Sequence, residues 1–225
     1  MSRQLPLALP PLERHSRGDF LVTGANRLAL AAIEGWRDWP SGKMLLIGPR
    51  GAGKTHLSAI WAAETGAARV TGADLTPADA GRLARAGAVL VEDAEALAGR
   101  EGRERALFHL HNLLSLSGRL LVTAASPPRD WGLHLPDLLS RMQATALTRI
   151  EPPDDALLQG VLAKLFADRQ IEVTPALLSF LVARMPRSIG AARRLVAAID
   201  GRALAVRRPV GIRLAADVLA ELTCE

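Results

Sequence analysis

The chain has 225 residues, a formal net charge of +5 and 49% hydrophobic residues. That length and apolar content fit one large folded unit or two small ones, exclude a disordered chain, and leave no run long enough to cross a bilayer. A single cysteine, Cys224, excludes an intrachain disulfide and points to the cytoplasm, while the positive charge is nearly all arginine, with lysine only at Lys43, Lys54 and Lys164.

Residues 1–18 show no helical period and read as an N-terminal tail. Within it "QLPLAL" (Gln4 to Leu9) places Leu5, Leu7 and Leu9 at strand-like alternation, but Pro6 and Pro10 break any backbone ladder. Prolines and Glu13 also cut the apolar run too short for a signal peptide. Helical spacing appears from Asn26 to Trp36. "MLLIGP" (44–49) predicts a buried parallel strand, and "KTHLSAIWAAET" a helix ending near Gly66. A weaker strand is expected at 68–72. A helix over 76–87 would start with Thr76 as N-cap and Pro77 at the first helical position. "AVLVED" (88–93) reads as a strand ending in acids, 101–116 as an amphipathic helix, and 119–126 as another buried strand. A short helix at 135–142 and a strand at 145–153, closed by Pro152-Pro153, complete this alternation. Beyond it only helices are predicted, at 154–168, 175–185, 189–206 and 214–222. The pattern predicts an α/β unit with a five-stranded parallel sheet at 19–152 and a helical lid at 153–225.

The sharpest signal is "GPRGAGKT", Gly48 to Thr55, which fits G-x-x-x-x-G-K-[ST]. Gly48, Gly51 and Gly53 let the backbone turn tightly and approach an anion, with Pro49 and Ala52 in the same loop. Successive N–H groups and the following helix N-terminus point at phosphate. Lys54 reaches the terminal phosphates, and the Thr55 hydroxyl ligates Mg²⁺. The expected ligand is ADP or ATP with Mg²⁺. Such a loop needs an acid from a neighbouring strand, and "VLVEDAE" (89–95) supplies Glu92 toward the metal and Asp93 to orient water. Glu92 stands where Asp is usual, one methylene longer, which weakens hydrolysis. His109 and His111 fall on different helix faces and suggest no second metal site.

In order along the chain, "GKTHL" (53–57), "VLVEDAE", "LLVTAAS" (120–126), "LLSRM" (138–142) and "IEPPDD" (150–155) resemble the bacterial DnaA family of AAA+ ATPases. "DFLVTGANRLALAA" (19–32) looks like the segment that cups adenine in that family, which implies nucleotide contacts from Phe20, Leu21 and Asn26, and from His56 beside the P-loop. The resemblance spans roughly residues 19–222. No further stretch of the kind a duplex-reading domain needs follows residue 222, so the chain resembles the family's short regulatory branch, the Hda type. That implies a protein that holds nucleotide, binds the DNA polymerase sliding clamp, and stimulates ATP hydrolysis by the initiator DnaA to prevent over-initiation. DNA would be met mainly through the clamp, with no membrane partner; self-association stays open. Arg141 falls on the family's arginine-finger position, a cation offered in trans to a transferring phosphoryl group. Ser126 or Thr123 falls where the γ-phosphate is sensed. The family's lid arginine is replaced by Gly190, with Arg193 or Arg194 as substitutes from the next turn. The resemblance also gives "QLPLAL" a use, as the clamp-binding peptide through Gln4, Leu5, Leu7 and Leu9. A helicase-loader ATPase acting on single-stranded DNA is the alternative. It would need aromatics interleaved with a basic groove, and no Phe or Trp lies in a basic cluster of the sequence.

Overall fold

The computed structural model describes residues 16–115 and 118–223. The Gln4–Leu9 peptide lies outside the described residues. Five parallel strands form one sheet in the order β2-β3-β4-β1-β5: β1 Lys43–Ile47, β2 Ala68–Thr71, β3 Ala88–Glu92, β4 Arg119–Ala124 and β5 Leu147–Arg149. Helices α1 Arg27–Glu34, α2 Lys54–Thr65, α3 Asp79–Ala84, α4 Glu101–Leu113 and α5 Pro136–Ala144 alternate with them. Four further helices follow: α6 Asp155–Ala167, α7 Pro175–Val182, α8 Ile189–Val206 and α9 Ile212–Thr223.

The continuous apolar runs read as strands are buried on both faces. Leu45, Ile47, Val89, Val91, Leu120 and Val122 face α3, α4 and α5 through Leu83, Leu107, Leu110 and Leu138. Met44, Leu46, Leu90 and Leu121 face α1 and α2 through Ile33, Leu57 and Trp61. Alternation along each strand thus feeds two cores, one per face. A third core, with Leu162, Phe166, Leu181, Leu195 and Ile199, belongs to the C-terminal helices. No helix among the described residues is long and apolar enough to cross a membrane.

Several boundaries differ from the sequence reading, three of them for local reasons. The helix expected from Thr76 begins at Asp79, because the Thr76 N–H and hydroxyl both donate to Asp79 Oδ2, at 3.1 and 2.6 Å, and close a turn first. The strand expected over 145–153 shrinks to Leu147–Arg149, as β5 is an edge strand whose only neighbour is β1. Helix α7 stops at Val182 rather than residue 185, with Ala183 N–H capping back onto Ser179.

Candidate functional site

Strand β1 runs straight into the Gly-rich loop. Gly48, Gly51 and Gly53 hold φ of +159°, +78° and +109°. At Gly51 two constraints coincide, since any β-carbon there would overlap Ser188 Oγ on the lid. Gly53 ends the loop in left-handed geometry and α2 starts at Lys54, so the first N–H groups of α2 point into the loop. Lys54 is buried, and its Nζ donates to the carbonyls of Gly48 at 2.7 Å and Pro49 at 3.2 Å. Burial pushes its ammonium below the ordinary value, while the negative charges of Asp93 and Glu95 oppose that and Arg50 reinforces it. Thr55 is exposed on the first turn and Ala52 is buried beneath it. A concave loop of left-handed glycines, a helix N-terminus and a lysine reaching back across the loop fit a nucleotide phosphate chain.

The acids lie at the C-terminal end of the sheet with the loop. Glu92 is half-buried and already engaged: Arg69 Nη2 donates to Oε2 at 2.8 Å and Ser58 Oγ to Oε1 at 3.4 Å. Asp93 adopts a left-handed conformation, φ 49° and ψ 53°, which turns the chain out of the strand. Asp tolerates this geometry better than most residues. Its N–H donates to Thr123 Oγ1 at 3.2 Å, and Gly72 packs so closely on the Asp93–Ala94 turn that a β-carbon would stand 2.6 Å from the Asp93 carbonyl. Thr123 is buried and holds that turn, whereas Ser126 lies half-buried just beyond β4.

The segment before α1 contacts the chain just after β5 and helix α6. Ala25 accepts the Glu151 N–H at 2.9 Å, and Asp19 pairs with Lys164 of α6 at 2.6 Å, an ion pair that holds the Asp19 carboxyl below its usual range. Phe20 is buried edge-on against His56, with ring centroids 5.3 Å apart. Leu21 is half-buried near Gly160. Asn26 is fully committed to shaping this loop: its amide donates to the Leu21 carbonyl at 2.8 Å and accepts the Thr23 N–H at 2.9 Å. Its role is to set the backbone, not to offer a free polar group.

The start of α8 touches the loop directly. Ser188 caps α8, and the Ile189 N–H donates to the Gly51 carbonyl at 2.8 Å. A methyl group at Gly190 would stand 3.8 Å from Arg194 Nη1, so the Arg194 side chain folds back over the bare glycine toward the first turn of α8. Arg193 is half-buried and already partnered.

Arg141 sits at the other end of the sheet. Helix α5 leads into β5, which runs parallel to β1 and whose first residue Leu147 pairs with Leu45, the middle residue of β1. The Arg141 charge acts on Lys43, the first residue of β1, and on His111, lowering both pKa values after the larger effect of burial. The C-terminal end of α5, which carries this exposed arginine, thus precedes the N-terminal end of a strand parallel to β1, whereas the loop leaves the C-terminal end of β1.

Two features escaped the sequence. Glu104 is fully buried and accepts N–H groups from Gly99, His134 and Leu135 at 2.7 to 3.2 Å, fixing the start of α5. Its signal was an acid on the Leu107–Leu114 face of an amphipathic helix. The fold also brings Arg119 within 5.9 Å and Arg37 within 4.2 Å of the Trp36 ring, so one aromatic does lie among basic groups.

No family model matches the chain. Among solved structures it is similar to domain III of the Thermotoga maritima replication initiation protein DnaA, with TM-score 0.77 and 18% identity over 92% of this chain and 96% of that one. It is similar to AMPPCP-bound DnaA from Aquifex aeolicus, with TM-score 0.71 and 18% identity over 84% of this chain and 65% of that one. A third likeness is to the Thermotoga maritima RuvB Holliday junction branch migration motor, with TM-score 0.66 and 18% identity over 88% and 67%. The chain thus spans only about two thirds of the two longer proteins. The likeness establishes the fold: a five-stranded parallel α/β sheet with helices, like that of DnaA domain III.

Proposed function

We propose that this chain is a nucleotide-holding regulator of replication initiation of the Hda type, which stimulates ATP hydrolysis by DnaA from a position on the sliding clamp. The observation that carries the reading is the separation of Arg141 from the chain's own P-loop, at opposite ends of β1. An arginine so placed serves a nucleotide on a neighbouring subunit. In this reading residues 19–152 bind nucleotide, 153–225 form the lid, and Gln4, Leu5, Leu7 and Leu9 engage the clamp.

Bound Mg²⁺–nucleotide supplies the phosphoryl anhydride and a divalent charge. The loop N–H groups and Lys54 hold phosphate oxygens, for which Lys54 exchanges the Gly48 and Pro49 carbonyls. Thr55 would offer its hydroxyl to the metal, and Asp93 would orient the attacking water. Glu92 is held by Arg69, which keeps it from free service and suits a chain with slow hydrolysis of its own. Phe20, Leu21 and His56 form the apolar wall nearest the base. Arg194 supplies the lid cation that Gly190 lacks. Arg194→Ala is expected to weaken nucleotide binding about tenfold, a loss of one charge-assisted hydrogen bond, read by fluorescence titration with a labelled ADP.

The Trp36–Arg37–Arg119 stack favours a second reading, a loader ATPase on single-stranded DNA. ATP turnover by the purified full-length chain, with and without single-stranded DNA, separates the two. The regulatory reading predicts slow turnover that DNA leaves unchanged. Fast turnover accelerated by single-stranded DNA would establish the loader instead.

A further inference from the structure

The acidic run after β3 contains a third carboxylate, Glu95, that the reading above leaves without a task. Ala94 and Leu97 of the short 3-10 turn that follows Asp93 are both fully buried in the sheet core, and this fixes the turn against β4. Glu95 Oε1 accepts the N–H of Ala125 at 3.1 Å, directly beyond the end of β4. Glu95 Oε2 is enclosed and has no hydrogen-bond partner among the described residues. An enclosed carboxylate oxygen without a donor is costly, so it marks a place where a donor belongs. The nearby chemistry limits what that donor is. The Ala124 carbonyl accepts the Gly48 N–H at 3.2 Å, so the Ala125 N–H held by Glu95 lies one residue from the P-loop, and the Lys54 ammonium senses the Glu95 charge. Glu92, by contrast, already has Arg69 on one oxygen and Ser58 on the other.

We propose that Glu95 is a positioning residue of the nucleotide site, with Oε2 accepting a hydrogen bond from a water of the hydrated Mg²⁺ that accompanies nucleotide on the P-loop. The proposal rests on the reading of that loop as a nucleotide site. The division of labour follows from the partners. Ala125 holds one oxygen and so aims the other, while Glu92 is retained by Arg69 as a link between β2 and β3. A carboxylate acting through water contributes to the metal-dependent part of affinity and leaves metal-free binding alone.

The test titrates labelled ADP into the full-length chain with Mg²⁺ and again with EDTA. The ratio of the two affinities is the readout. Glu95→Gln keeps an oxygen for Ala125 but removes the charge; it is expected to lose about tenfold of the Mg²⁺ benefit with unchanged affinity in EDTA. Glu95→Asp keeps the charge but withdraws the oxygen by one methylene, and is expected to lose the benefit as well. A Glu95→Gln protein that melts earlier but keeps the full Mg²⁺ benefit would overturn the proposal. Lys54→Ala is the separate control: if it binds labelled ADP as tightly as the unaltered chain, the nucleotide-site reading itself fails.

Discussion

His111 shows how one buried side chain couples the core to charge at the surface. It lies on α4 with Nδ1 enclosed and lacking a partner among the described residues. Burial, and after it the charges of Lys43 and Arg141, lower its pKa from 6.5 to about 4, against a weaker opposing bond with Asn112. The folded state therefore resists a proton that the unfolded chain takes up near pH 6.5. The stability tied to the neutral ring is complete above 6.5 and is lost as pH falls toward 4. Urea midpoints between pH 7.5 and 4.5 should fall in that window, and His111→Gln should flatten the part of the fall that His111 causes. An unchanged slope would remove His111 as the source.

At the scale of elements, the P-loop, α2 and the lid act as one joint. Gly51 is where they meet, through its carbonyl on the Ile189 N–H and its bare α-carbon against Ser188. Gly51→Ala is expected to cost about 1–3 kcal/mol from the left-handed backbone alone, lowering both the melting temperature and nucleotide affinity. A variant that melts and binds normally would show that the lid does not close on this point. Helix α5 has its own anchor in Glu104. Glu104→Gln turns an all-acceptor group into one that faces N–H donors with its own NH₂, and should cost about 1–3 kcal/mol in denaturant unfolding. What could be read from the sequence divides along the same line. The P-loop and α2, from Lys54 to its left-handed cap at Gly66, were legible because every determinant is local. Glu104 was not, because its donors at His134 and Leu135 lie 30 and 31 residues away. Thr76 misled because a side-chain turn to Asp79 competes with the cap it was expected to form. Glu92 was legible as an acid at the end of a strand, but its capture by Arg69 needed the register of β2 on β3.

For the whole molecule, the sheet works as a spacer with a different charge task at each end. Its C-terminal edge carries the P-loop, Asp93 and Glu95, with the first turn of α8 bonded to Gly51. Its N-terminal edge presents Arg141 on a short helix, above the buried Lys43 and beside His111. Lys43 lies 3% exposed and donates to the Ser41 carbonyl at 3.3 Å, so like charge beneath Arg141 favours a guanidinium directed outward. A protein that holds nucleotide at one edge and offers a cation at the other is suited to acting on the nucleotide of a neighbour. The measurement that tests this most directly is ATP hydrolysis by DnaA in the presence of DNA-loaded clamp, with either the unaltered chain or its Arg141→Ala variant added. The account predicts that the unaltered chain accelerates hydrolysis, and that Arg141→Ala, folded and still binding labelled ADP, loses at least about 2–3 orders of magnitude of that acceleration. Full acceleration by Arg141→Ala would contradict it.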